Sequence, residues 1–156
     1  MSSKNIAWWG IGIALTVIGS TIKIPAIVGS VGLDAFTGLV IAGLGSIGMG
    51  AWIAAIGHLL SALLTGFPLG SFHLLIALEM ALCVFVFGIL NKAGKKAIAA
   101  VAFWIGNALI SPLPFIFIMD WTFFIAIVPS LMIGSALNVI VARVFFDLLG
   151  RGRKDE

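Results

Sequence analysis

The sequence predicts an all-α integral membrane protein, a bundle of six transmembrane helices with the N and C termini cytoplasmic. Three observations predict it. Hydrophobic residues make up 62% of the 156 residues and charged residues 10%, whereas soluble domains carry roughly 25% charged residues. The mean hydropathy is +1.24. Apolar runs of near-spanning length recur along the chain, separated by clusters of Gly, Pro, Asp and Lys. Residues 1–156 read as a single six-helix membrane domain, with no room for a separate soluble one.

The first span covers Asn5 to Thr21 and ends at "TIKIPAIVGSVGL", where Lys23, Pro25 and two glycines break it. Trp8 and Trp9 near its start, like Trp121 later, suit interfacial anchors. With no small-residue cleavage site after a short apolar region, it reads as a retained span and not a signal peptide. Asp34 is a good N-cap for the second helix, "DAFTGLVIAGL", which is short before "GSIGMG". The third runs from about Gly50 to Leu64 and stops at "TGFPLG". The fourth runs from Ser71 to Leu90 and ends in "NKAGKK". The fifth, Ala97 to Ile110, stops at "SPLPF". The last, about Trp121 to Leu149, contains Pro129 and is long enough to tilt or kink.

Six spans put both termini on one side, together with the turns after the second and fourth. That side holds Lys4, Lys92, Lys95, Lys96, Arg151, Arg153 and Lys154, and the opposite side holds only Lys23. The positive-inside rule makes the Lys-rich side cytoplasmic. The net charge of +3 therefore reflects membrane orientation, and no nucleic-acid partner is expected. Arg143 and Asp147 read as an i,i+4 pair near the cytoplasmic edge. Three elaborated loops, with four of the five prolines, then lie outside. Such an outer face suits something that arrives from outside.

Polar groups inside the spans are expensive and need a reason. His58, Ser61 and Thr65 fall at i, i+3 and i+7 on one stripe of the third helix. The hydroxyls could instead bond to backbone carbonyls, and His58 could tie two helices together. Above this stripe Gly66 and Gly70 should supply unusual backbone angles to a tight outer turn, stiffened by Pro68 and carrying Phe67. Glu79 lies more than two turns into the fourth helix, where a carboxyl must face the bundle, be paired or be protonated. His73 is six residues earlier, about 240° round the helix, and so on another face. Trp104, Asn107 and Ser111 form a stripe on the fifth helix, and Ser130, Gly134 and Asn138 repeat every fourth residue on the sixth. Asn107 and Asn138 need partners, whether a helix or a ligand. The spacing of His73 and Glu79 matches neither an i,i+4 metal pair nor HExxH; Cys83 lies four after Glu79, so a site from Glu79, Cys83 and a histidine is conceivable, but no metal is expected. Lone Cys83 excludes an internal disulfide, and its apolar setting favours a structural thiol. No Walker A loop, GxSxG or other catalytic signature is present. The chain is not expected to be an enzyme or to carry a cofactor.

"GHLLSALLTGFPLG" followed by "FHLLIALEMALCVFVFGIL", with "GSVGLDAFTGLVIAGLGSIGMGAWIAA" before it, resembles the substrate-binding S component of energy-coupling factor (ECF) vitamin transporters. The resemblance covers most of the chain, including the span plan and the size. It implies capture of a small vitamin or vitamin precursor at the outer face of the bacterial plasma membrane. Uptake would be driven through a membrane coupling subunit and two ATPase subunits. The likeness is greatest to the cobalamin-precursor type, which takes up α-ribazole. The family's site lies under the first, third and fifth connecting loops and the last three helices. On this chain that implies His58, Thr65, Phe67, His73, Glu79, Trp104, Asn107, Ser111 and Asn138 as ligand-binding residues. The family docks its coupling subunit on AxxxA-spaced small residues of the first helix. Here Gly10 and Ala14 hold that spacing, with Gly in place of the first Ala. Two other readings stand beside this one: a stand-alone small transporter or channel, and an intramembrane enzyme. The latter needs His58 and Glu79 to converge on one cavity.

Overall fold

A computed structural model describes residues 3–25 and 30–151. Nearly all of them are helical, in the order α1 (Ser3–Thr21), α2 (Phe36–Leu44), α3 (Ile47–Leu64), α4 (Phe72–Lys92), α5 (Lys96–Ile105), α6 (Pro114–Ile118) and α7 (Trp121–Arg151). A π-helical turn, Gly106–Ile110, continues α5. Two three-residue strands, β1 (Lys23–Pro25) and β2 (Ser30–Gly32), pair antiparallel between α1 and α2. The sequence reading has this segment as plain loop.

Four helical stretches are long and apolar enough to cross a membrane: α3, α4, the run Lys96–Ile118 and α7. The apolar stretch of α1, Asn5–Thr21, is shorter. The second span is corrected. α2 has nine residues, about 14 Å at ~1.5 Å per residue, roughly half of the ~30 Å hydrocarbon core. It stops at Gly45, and α3 restarts at once because Ser46 caps it, its hydroxyl accepting the Met49 N–H at 3.3 Å. α3 therefore begins at Ile47, ahead of the expected Gly50. α2 is enclosed, with every residue from Phe36 to Ala42 buried.

Lipid tails are as apolar as Leu, so helices in a membrane associate through close packing and hydrogen bonds, favouring small residues at contacts. α2 and α3 meet that way. A methyl built on Gly38 would lie 2.8 Å from the Gly50 carbonyl oxygen, and one on Gly50 would lie 2.5 Å from the Ala42 amide nitrogen. α1 approaches α3 as closely: a methyl on Gly57 would overlap Thr16 Cγ2. The large buried groups gather between α2, α4, α5 and α7. Phe87 there packs edge-on against Phe103 at 6.4 Å and stacks on Phe146 at 6.3 Å.

Three connecting segments meet at one end of this bundle through residues 32–34, 65–69 and 111–115. The turns at 45–46 and 93–95 lie at the other, where the Lys92 ammonium donates to the Gly45 carbonyl. Pro129 is accommodated inside the continuous α7. The expected Arg143–Asp147 pair does not form: among the described residues the only ion pair within 4.0 Å joins His58 to Asp34. Arg143 is half-buried, whereas Asp147 is exposed.

Candidate functional site

A cavity of about 400 Å³ opens where the three connecting segments meet, enclosed by α3, α4, the π-helical turn and α7. Its volume falls in the ~300–1,000 Å³ range of small-molecule sites, and its wall combines an apolar majority with a few polar groups. Ile76, Met80, Phe115, Phe123, Ile127 and Leu131 supply the apolar part.

One corner is built by a cap from afar. Asp34 does not cap α2, contrary to expectation. The side-chain oxygen of Asn138 on α7 takes that role, accepting the Ala35 N–H at 3.0 Å and the Phe36 N–H at 2.8 Å. The Asn138 amide group donates to the carbonyls of Gly32 at 3.3 Å and Gly134 at 2.9 Å. Two acceptor and two donor positions are thereby all engaged by backbone. Asn138 borders the cavity, but its side chain has no capacity left for a ligand.

Released from capping, Asp34 turns to the histidines. Its Oδ2 lies 3.0 Å from His58 Nδ1, and His58 Nε2 lies 3.2 Å from His73 Nδ1. His73 Nε2 in turn lies 3.4 Å from the Leu69 amide nitrogen. A backbone N–H can only donate, so His73 Nε2 accepts, and a neutral ring must then carry its proton on Nδ1. His73 Nδ1–H donates to His58 Nε2, and His58 Nδ1–H donates to Asp34. One donor direction runs from the α3–α4 turn to the threshold of α2. The identity of each ring's protonated nitrogen is assigned through these partners.

The turn itself takes the expected angles. Gly66 has φ +77° and Gly70 φ +57°, and Phe67 also adopts a left-handed φ of 50°, which is strained for a side chain of that size. Its ring meets His73 edge-on at 5.7 Å. Phe67 does not border the cavity. His58, Ser61 and Thr65 all do, as their stripe requires. The Thr65 hydroxyl is also within reach of the backbone carbonyls of Ser61 and Ala62, at 3.1 and 3.0 Å.

Glu79 and His73 both border the cavity although about 240° apart in sequence order round α4, because with Ile76 and Met80 they fall within one broad side of the helix. Glu79 Oε2 is buried and has no hydrogen-bond partner. Asn107 and Ser111 also border the cavity. The π-helical turn presents them there, the Ser111 N–H reaching back five residues to the Gly106 carbonyl at 2.8 Å; such bulges recur at functional sites. Asn107 donates to the Ser135 hydroxyl at 2.7 Å. Trp104, expected on the same stripe, is turned away and donates to the Met132 carbonyl at 2.9 Å.

Cys83 Sγ is 3.7 Å from the Ser111 hydroxyl, and the residue lines a second, mostly apolar crevice with Leu82, Ile110 and Phe117, which shares Glu79 and Ser111 with the cavity. Among the described residues no three metal-ligating side chains gather. Gly10 and Ala14 share an exposed face of α1, and a methyl on Gly10 would meet nothing within 4 Å. Sequence reasoning missed Asp34 as a site residue. Its signal is there to read, an acid set in the apolar stretch "VGLDAFTGLV".

No protein-family model, no curated protein and no solved structure matches the chain.

Proposed function

We propose that this protein captures a small vitamin or vitamin precursor at the outer face of the bacterial plasma membrane. It then hands the compound to an ATP-driven ECF transporter as its S component. The observation that carries this reading is the cavity of about 400 Å³ under the three connecting segments, on a chain whose helices suit a bilayer. Both termini are then cytoplasmic. The open α1 face at Gly10 and Ala14 is the docking surface for the membrane coupling subunit, which works with two ATPases. The cavity has room for one ring system with a polar appendage, so an α-ribazole-like nucleoside suits it. A whole corrinoid, several times larger, does not.

His58 and Glu79 border one cavity, which is the condition an intramembrane enzyme would need. Yet each ring nitrogen of the two histidines already has a protein partner. Neither ring offers a free base to a substrate, which favours capture over catalysis.

The direct experiment is to purify the full chain from cells grown in rich medium and identify co-purifying small molecules by mass spectrometry. An unaltered vitamin or precursor that rebinds the emptied protein is the expected result. Release of a chemically converted product on incubation would replace capture with catalysis.

A further inference from the structure

Three buried side-chain polar atoms lack a hydrogen-bond partner among the described residues: Thr37 Oγ1, Glu79 Oε2 and Asn91 Oδ1. Only Glu79 also borders the cavity. A buried acceptor left unmade is costly, and in folded proteins such an atom calls for an explanation. The carboxyl group of Glu79 therefore reaches the cavity wall with no protein donor on it among the described residues.

A second observation concerns charge. Asp34 brings another carboxyl group to the same cavity, and no Lys or Arg is among the described residues that line it. The two histidines do not compensate, because their protons are committed along the chain that ends on Asp34. An anionic group entering this space would meet two acidic side chains and no Lys or Arg to balance it, and an unpaired charge is costly to bury. Specificity often rests on such exclusion as much as on attraction.

We infer that the cargo carries no anionic group and presents an O–H or N–H donor to the Glu79 carboxyl group, which makes Glu79 the residue that sets specificity. The inference rests on the capture reading and narrows it. Carboxylate vitamins and phosphorylated precursors are excluded, while neutral or cationic ring compounds with hydroxyl or amino donors are admitted. The apolar wall at Met80, Phe115 and Phe123 takes the ring.

The test is isothermal titration of the purified full chain with three probes: a benzimidazole riboside, its 5′-monophosphate and pantothenate. The compound that co-purifies with the protein is also identified and its charge determined. The riboside should bind, with the monophosphate at least 100-fold weaker and pantothenate undetectable. Glu79→Gln should weaken the riboside at least tenfold and shrink the gap to the monophosphate below tenfold. Glu79→Asp keeps an acid and should still reject the monophosphate, which serves if the Gln variant melts early. Tighter binding of either anion than of the riboside, or an anionic co-purified compound, would overturn the charge inference and leave capture standing. No co-purified compound and no binding by any probe would overturn the capture reading, and this inference with it.

Discussion

His58 Nε2 and His73 Nδ1 face each other across the α3–α4 hairpin at 3.2 Å. The bond joins the helix before the α3–α4 turn to the helix after it. With Leu69 N–H at one end of the chain and Asp34 at the other, it also fastens the turn to the start of α2. The two histidines are expected on sequence grounds as separate ligand contacts. Their geometry makes them a latch that holds the turn over the cavity.

His73→Phe removes both nitrogens and leaves the Leu69 N–H and His58 Nε2 without partners. Losing a buried hydrogen bond of this kind costs about 1–3 kcal/mol. Amides 65–72 should therefore exchange hydrogen faster while those of α4 beyond Glu79 stay protected. Bound ligand should slow the same amides in the parent chain, as a lid closing over its site does. Faster exchange spread evenly over all helices would show that His73 supports general packing instead.

Asn138→Ala uncaps α2 and takes a donor from the carbonyls of Gly32 and Gly134. A lost cap costs about 0.5–2 kcal/mol, so thermal melting of the purified protein should fall clearly. Asn138→Asp should fare no better, because its second oxygen would face the carbonyls of Gly32 and Gly134. A variant that melts normally but binds ligand weakly would mark Asn138 as a ligand contact.

Gly57→Leu and Gly10→Leu make opposite predictions from the same substitution. At Gly57 the added carbons collide with Thr16, so folding and binding should both be lost. At Gly10 there is open space, so folding and ligand binding should be intact. Only ATP-driven uptake in cells should fail, if that face docks the coupling subunit. Normal uptake by Gly10→Leu would remove this face from the docking proposal.

Local signals make part of this architecture legible. Gly66 and Gly70 announce left-handed angles that glycine adopts without strain, and they adopt them. The i, i+3, i+7 stripe of His58, Ser61 and Thr65 follows from helical periodicity, and it borders the cavity. What lies between distant elements is not legible. Asp34 looks like a cap because caps are ordinarily supplied locally, and nothing near it in sequence reveals that Asn138 has taken the position. The π-helical turn at Gly106–Ile110 has no periodic signature, and it separates Trp104 from Asn107 and Ser111. Likewise "DAFTGLVIAGL" has the hydropathy of a span and lacks only the length.

The cap on α2 also sets an order of events during synthesis. Asn138 lies 103 residues after Ala35, whose N–H it accepts. While the ribosome is still making α3 to α5, the first turn of α2 has no tertiary cap, and Asp34 is free to act locally. The partnership between Asp34 and His58 becomes the better arrangement only once α7 has arrived. Arrested nascent chains ending before residue 121 should therefore show protease-sensitive α2 boundaries, and those extended beyond α7 should be resistant. The cavity is thus finished last, from a residue near the end of the chain.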